Sequence, residues 1–479
     1  GNPVARTPNI DRLASEGIRF DHHYSSNPVC QPSRVSLLTG RHVPGHQVYD
    51  NGMLLDENVP TIASEFGTCG YETFASGKLH LTPGQTPPEL KHGESIRAWQ
   101  AGTFDDWDGP FYGFDKVRLT LGHCEQAMQP HKGHYGIWLE QNHPDVFDKL
   151  GVENAPEPKW TENEGGCWRS QAPVEAHHST YVADQLIAFL ESRDPDKPFF
   201  AFTGFPDPHA HFTPPQEYAE MFDGVEFPRP TRREGENDRR PEHYQLIRKK
   251  HRALIGDGDP WVVPEGDFLD EVIRNTYAMV TLIDENVGRI LDTIDRLGLK
   301  DTTIVAFTSD HGDLLGDHEM LFKGPMPFSS LMRVPFIVRV PGIEPGVQPA
   351  PMGNADVMPT LLDLAGVDTV HAAESVQGTS YAPLMRGESA PPRESVLSCG
   401  WSSTDVRYRH MSLHGREWRI TWYPGMDDGE LYDLTRDPGE LENLWHDPAY
   451  ASMREQLMPR LTRAYAEAGP LQAQTLSVW

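Results

Sequence analysis

The sequence predicts an α/β fold: a mostly parallel central sheet sandwiched by helices, followed by a small α+β C-terminal domain. Three observations carry this. Apolar strand-like runs alternate with amphipathic helical segments through the first four-fifths of the 479 residues. Near Pro383 to Pro392 the composition turns loop-like, and short strand-like runs crowd together after it. The length is enough for a large core and two domains, placed at 1–385 and 386–479.

The elements follow in order. Pro8 to Gly17 reads as a helix between Thr7 as N-cap and Gly17 as C-cap, and Ile18 to Tyr24 as a strand. Gln31 to Gly40 reads as a helix, which puts Cys30 at a helix N-terminus where the dipole favours negative charge. Tyr71 to Lys78 is a strand. The amphipathic stretch Ser179 to Ser192 precedes a buried-strand run at Phe199–Phe202. A long helix from Glu271 to Leu297 leads to a strand at Thr303–Phe307. Pro335 to Val340 is a further strand and Asp356 to Ala365 a helix. In the small domain, Val396, Met411 to His414, Trp418 to Trp422 and Glu430 to Leu434 read as strands, and Tyr450 to Ala468 as a helix. Residues 84–173 are rich in Gly, Pro, His and Trp and weakly periodic, which predicts long loops over a cleft.

Composition narrows the function. A net charge of −28 excludes a broad nucleic-acid surface, because phosphate backbones need clustered Lys and Arg. An anion can still bind where cations are focused in one cleft. No apolar run approaches the roughly 20 residues a membrane span needs. Five cysteines without close pairing do not form a disulfide framework, so Cys69, Cys124, Cys167 and Cys399 read as buried or partly buried thiols. The chain opens directly on a helix. Its first strand is therefore expected to lie outside this sequence, together with any targeting signal.

Five segments carry candidate chemistry. The first is Cys30-Gln31-Pro32-Ser33-Arg34, which runs into Val35-Ser36-Leu37-Leu38-Thr39-Gly40-Arg41. A lone Cys at a helix start is usually a core thiol. A phosphatase-type thiolate loop would need five residues between Cys and Arg and a Gly-rich cradle; here three intervene and none is Gly. The second is Ser309-Asp310-His311-Gly312-Asp313 at a strand's C-terminal end, where open α/β sheets bind ligands. Asp oxygens suit a hard divalent cation, and a His admits Mn²⁺ as well. Asp313 and Asp317 read as supporting or loop residues. The third is Gly77-Lys78-Leu79-His80, where an extended backbone would project Lys78 and His80 together. The fourth is Pro206-Asp207-Pro208-His209-Ala210-His211, and the fifth runs from Met320 through Lys323 to Pro325. Taken singly, each has an ordinary reading as a turn, a solvated cation or a structural His.

Together, the segments resemble the type I sulfatases of the alkaline-phosphatase-like superfamily. The likeness runs from Thr7-Pro8-Asn9-Ile10-Asp11 to Gly429–Leu434 and Asp437-Pro438-Gly439-Glu440. It implies that Cys30 is oxidised to Cα-formylglycine by a modifying enzyme that reads Pro32 and Arg34. The aldehyde hydrate would attack sulfur, with Asp310 the plausible proton acceptor. Arg34 would orient the hydrate, and Lys78 and Lys323 would contact the sulfate. His209 would be general acid, assisted by Lys323 at the leaving-group oxygen and with His211 its register alternative, and His80 would take the proton that frees sulfate. Asp310 and His311 would hold a divalent metal, Ca²⁺ first, with Mn²⁺ or Mg²⁺ possible. The family's two adjacent aspartates, carried on a first strand, have no counterpart here. The implied substrate is a sulfated small molecule or carbohydrate, and the implied location periplasmic or secreted. A phosphonate monoester or phosphodiester hydrolase on the same scaffold, and an inactive anion- or glycan-binding relic, are the alternatives. Trp99, Trp107, Trp138, Trp160 and Trp168, with His123, His131 and His134, are candidates for substrate contact.

Overall fold

The computed structural model describes residues 2–122, 133–147, 149–161, 166–248, 261–263, 265–367, 375–388, 393–400 and 409–469. His123, Cys124 and His131 lie outside them.

The central sheet comes in two halves. One has three parallel strands in the order Lys116–Leu119, Glu72–Gly77, Phe199–Gly204. The other runs Gly346–Gln348, Ile18–Phe20, Phe336–Arg339, Val305–Thr308. Its first pairing is parallel and the next two are antiparallel. The expected parallel character thus holds throughout one half and at one edge of the other. The reason is Phe336–Arg339, which inserts in reverse between Ile18–Phe20 and Val305–Thr308. The run Ile18 to Tyr24 is not one strand. A turn after Phe20 breaks it, and His23–Tyr24 pairs with Met352–Gly353.

Side-chain alternation places helices on both faces. Phe200 and Phe202 pack toward Ile62 and Phe66 on one side. Phe199 and Ala201 pack toward Leu186 and Phe189 of the His178–Ser192 helix on the other. In the second half, Phe336 and Val338 join Leu37 and Val357, whereas Ile337 faces Leu13, Ile283 and Val287. The long helix, Asp267–Arg296, lies along His178–Ser192.

Between the halves runs an apolar cavity of about 1130 Å³. Phe199–Gly204 and Val305–Thr308 flank it, and neither edge has a ladder partner there among the described residues. Both strands run toward the same end, where Asp310 and His209 follow them.

The small domain is an antiparallel meander, Ser395–Gly400, His410–Gly415, Trp418–Tyr423 and Asp428–Asp433. Leu413, Ile420 and Leu431 face the Ala451–Glu467 helix through Leu457 and Leu461. Their neighbours Arg419, Glu430 and Tyr432 point the opposite way, against Tyr244 and Phe328.

Residues 84–173 are less loop-like than expected. They contain helices at Ile96–Gln100 and Gly133–Asn142, and the strand Lys116–Leu119. The tryptophans there pack inward. Trp99 is wholly buried and stacks edge-on to Trp107 and His134. Trp138 packs on Tyr181, Trp160 on Phe268, and Trp168 on His211. Cys69 corrects the expectation of buried thiols. It caps the Ile62–Thr68 helix and is exposed, whereas Cys167 and Cys399 are buried. None of the described helices is long and apolar enough to cross a membrane.

Candidate active site

The site is assembled at the N-terminus of the Cys30–Thr39 helix. All ten of its residues are buried. It closes on Gly40 at φ 64°, a left-handed turn that Gly adopts without strain, with the Gly40 N–H donating to Ser36 O at 3.0 Å. One turn into the helix, Arg34 ties three elements together. Its Nε donates to Asp310 Oδ2 at 2.7 Å and its Nη1 to the Lys78 carbonyl at 2.6 Å. Ser33 Oγ donates to the Asp310 carbonyl at 2.6 Å and accepts from Asn354 Nδ2 at 2.8 Å.

Close backbone approach makes this possible. Lys78 N donates to Gly204 O at 2.8 Å. A Cβ on Gly204 would lie 2.2 Å from the Lys78 carbonyl and 3.2 Å from Arg34 Nη1. Only Gly leaves the Arg34 guanidinium room between the two strand ends.

Around the Cys30 thiol stand two imidazoles and two ammonium groups. Cys30 Sγ lies 3.0 Å from His311 Nε2, while His311 Nδ1 donates to Gly312 O at 2.7 Å. Lys323 Nζ donates to His209 Nε2 at 2.6 Å, and His209 Nδ1 donates to Ala210 O at 2.5 Å. The Cys30 sulfur also lies beside His209. Burial pushes the thiol up, but Lys323, Lys78 and His311 outweigh it and hold it well below the usual thiol range. Burial likewise opposes ionisation of Asp310, yet Arg34 and then His311 keep its carboxyl far below normal. Burial and Lys323 bring His209 down to about 3, so its ring is neutral. Asp310 and Cys30 raise His311 against its burial. Lys78 is lowered, chiefly by burial.

Cys30, Arg34, Lys78, His209, Asp310, His311 and Lys323 are therefore brought together. His80 stands apart. The strand ends at Gly77, and His80 has φ 58°, so it does not continue the extended alternation that predicted its direction. Its Nδ1 is buried without a hydrogen-bond partner among the described residues. His211 packs against Trp168 rather than joining His209.

One supporting residue, Asp207, carried no sequence signal of its own, and Asp313 fits its reading as a supporting residue. Asp207, two positions before His209, accepts from His178 Nε2 at 2.8 Å and from Ser179 Oγ at 2.7 Å. His178 and these bonds overcome its burial and bring its carboxyl down to about 2. Asp313 accepts from Leu315 N and Phe322 N at 3.0 and 3.1 Å, which folds the loop that presents Lys323. The signal that could have marked Asp207 is a short polar side chain at a strand's end beside the polar start of a helix.

Ligand atoms of Cys30, Asp310 and His311 all lie within 4.8 Å of one another. One carboxylate, one imidazole and one further side chain at that spacing fit part of a divalent-cation shell.

Residues 1–367 match the family described as Sulfatase. The chain belongs to the sulfatase family. Residues 316–467 also match the family described as N-sulphoglucosamine sulphohydrolase, C-terminal. This sulfatase is 28% identical to the arylsulfatase of Clostridium perfringens, over 94% of this chain and 87% of that one. It is 26% identical to an N-acetylglucosamine-6-O-sulfatase of Bacteroides thetaiotaomicron, over 99% and 85%. Its fold is that of the phosphonate monoester hydrolase of Agrobacterium radiobacter, with a TM-score of 0.79, 24% identity and 99% and 93% coverage. The chain is a sulfuric ester hydrolase on the alkaline-phosphatase-like scaffold.

Proposed function

We propose that this sulfatase cleaves a sulfate monoester with residue 30, oxidised from Cys30 to Cα-formylglycine, as nucleophile, and with a divalent cation held by Asp310 and His311. Ca²⁺ is the first choice, with Mn²⁺ and Mg²⁺ as alternatives. The observation that carries the reading is the ring of Lys78, Lys323, His209 and His311 about residue 30 at a helix N-terminus. The hydrated aldehyde supplies an oxygen nucleophile and a second hydroxyl whose collapse frees sulfate. When bound, the cation supplies charge that acidifies the attacking hydroxyl and polarises a sulfuryl oxygen.

The remaining work falls to the chain's own groups. Arg34 fixes Asp310 on one side and the Lys78 backbone on the other. Lys78 and Lys323 place ammonium groups where negative charge grows on the sulfuryl oxygens. In the Lys323–His209 pair, Lys323 is the donor and His209 the acceptor. The proton for the departing alcohol is therefore held on Lys323, with His209 orienting it. This inverts the emphasis that the sequence placed on His209 as the acid. His80, with a free Nδ1, is the acceptor for the last proton.

The likeness to an arylsulfatase and to an N-acetylglucosamine-6-O-sulfatase supports aryl and carbohydrate sulfates as first substrates to try. One preparation assayed on aryl sulfate and aryl phosphonate tests the reading, with a mass spectrum of the residue-30 peptide alongside. Sulfate turnover with an aldehyde at residue 30 supports it. Preference for the phosphonate would favour a phosphonate hydrolase, and an unmodified Cys30 with no turnover would mark an inactive relic.

A further inference from the structure

We propose that Glu94 is a positioning residue that sets the direction of His80, and so tunes the proton step assigned to that ring; the inference rests on the reading above. Glu94 is 5% exposed. Its carboxylate sits beneath three consecutive backbone amides. Oε1 accepts from His80 N, and Oε2 accepts from Leu81 N at 2.7 Å and Thr82 N at 2.8 Å. Thr82 Oγ1 adds a longer bond to Oε2 at 3.3 Å. Successive N–H groups converging in this way form an anion-binding concavity. Here the chain supplies its own anion, from a residue 14 positions on.

A buried carboxylate is an expensive choice for a loop staple. An amide would bring its own N–H groups against the three donors, whereas a carboxylate has only acceptor sites. What the staple fixes is an unusual backbone. His80 lies at φ 58°, a left-handed conformation that non-Gly residues seldom adopt. Upstream, the Lys78 carbonyl is gripped by Arg34 at 2.6 Å and the Lys78 N–H by Gly204 O at 2.8 Å. The segment from Lys78 to Thr82 is thus clamped at both ends, by Arg34 on the catalytic side and by Glu94 behind. Glu94 is itself anchored. Ser95 Oγ donates to Thr86 O at 2.7 Å and accepts from Ala98 N at 3.2 Å, capping the Ile96–Gln100 helix. Without Glu94, residue 80 relaxes toward extended backbone, and its ring leaves the direction it now holds.

The test is a double-mutant cycle on the full chain, joined to hydrogen exchange. Wild type, E94Q, H80A and E94Q/H80A are assayed on whichever of aryl sulfate and aryl phosphonate the wild type turns over. Loss of the sulfate reading therefore leaves the test of Glu94 intact. H80A should lower kcat by about 100-fold, and E94Q by about 10- to 100-fold with KM little changed. The double variant should fall no further than H80A, to within about 2-fold. Exchange of the amides at 80–82 should accelerate in E94Q, with the rest of the protein unchanged. Effects that multiply would mean Glu94 serves only loop stability, and the proposal fails. It fails equally if amide protection survives E94Q, or if H80A keeps full activity. Should E94Q not fold, E94D gives the same readouts.

Discussion

Two buried charged clusters in this molecule look alike on paper and behave differently. At the active site, Arg34, Lys78, Lys323 and a cation-favouring His311 face one ionised carboxylate, Asp310. Asp313 nearby is pushed toward its neutral form by burial. Between the catalytic core and the small domain, Arg419 and Arg240 face Glu430, Glu440 and Glu236. There Tyr423 and Tyr432 donate to Glu430 at 2.8 Å each, and Tyr244 at 3.1 Å. The second cluster sets two guanidinium groups against three carboxylates, so its excess is of the opposite sign. The first carries more cationic than anionic side chains, an excess that the Cys30 thiolate offsets in part and a bound anion would offset further. A net positive sign marks the functional cluster; burial and ion pairing are common to both.

The comparison can be broken most sharply at residue 30. Cys30→Ser should give one burst of alcohol per protein molecule and then stop, because a sulfate ester on Ser has no second hydroxyl on the same carbon to expel it. Cys30→Ala should give no burst. Continued turnover by the Ser variant at near wild-type rate removes the aldehyde from the mechanism.

Lys323→Ala should lower kcat by about 100- to 1000-fold. The urea midpoint should not fall, since the change relieves like-charge crowding. A large loss of stability would put Lys323 in the structural class instead. Arg419→Met reverses that pattern. It should destabilise the fold by about 3–5 kcal/mol by leaving Glu430 and Glu440 buried without their partner. Activity per folded molecule should be retained, as read by assays below the unfolding transition.

Acid tests the second cluster through His243 and His410, whose rings lie beside Tyr423. Burial brings His243 down to about 4 and His410 down to about 3, from 6.5. Below 6.5 the unfolded chain takes protons that the folded chain refuses. The unfolding free energy, read from urea titrations, should therefore drop as pH falls from about 6.5 toward 4, by up to about 1.4 kcal/mol per pH unit per ring. His410→Phe should flatten that slope, and an unchanged slope would clear His410 of the effect. The smallest change is expected at the exposed Cys69, where Ser should shift stability by less than about 0.5 kcal/mol and leave kcat alone.

What the sequence revealed followed the range of the interaction. Cys30 and Arg34 share one helical turn, and Asp310 and His311 are adjacent, so local spacing showed their chemistry. Apolar runs such as Phe336–Arg339 were legible as strands, but strand direction is a long-range matter, and the antiparallel insertion was not. Lys116–Leu119 was missed because it is short and alternates Lys116 and Arg118 with apolar residues inside a loop-like region. Glu94 gave no signal, since an acceptor beneath three amides has no sequence pattern. The tryptophans suggested sugar platforms, yet burying a large ring among other rings gains more than exposing it.

One consequence follows from the helix that begins at Cys30. Every residue from Cys30 to Thr39 is enclosed by the finished fold. If residue 30 is oxidised as proposed, the modifying enzyme needs that stretch extended and within reach. Maturation and folding would then be rivals for the same few residues, and a chain that folded first would lock its thiol away. The yield of competent catalyst would be decided by the order of two events during biosynthesis, and no later gain in stability could recover a molecule that took them in the wrong order.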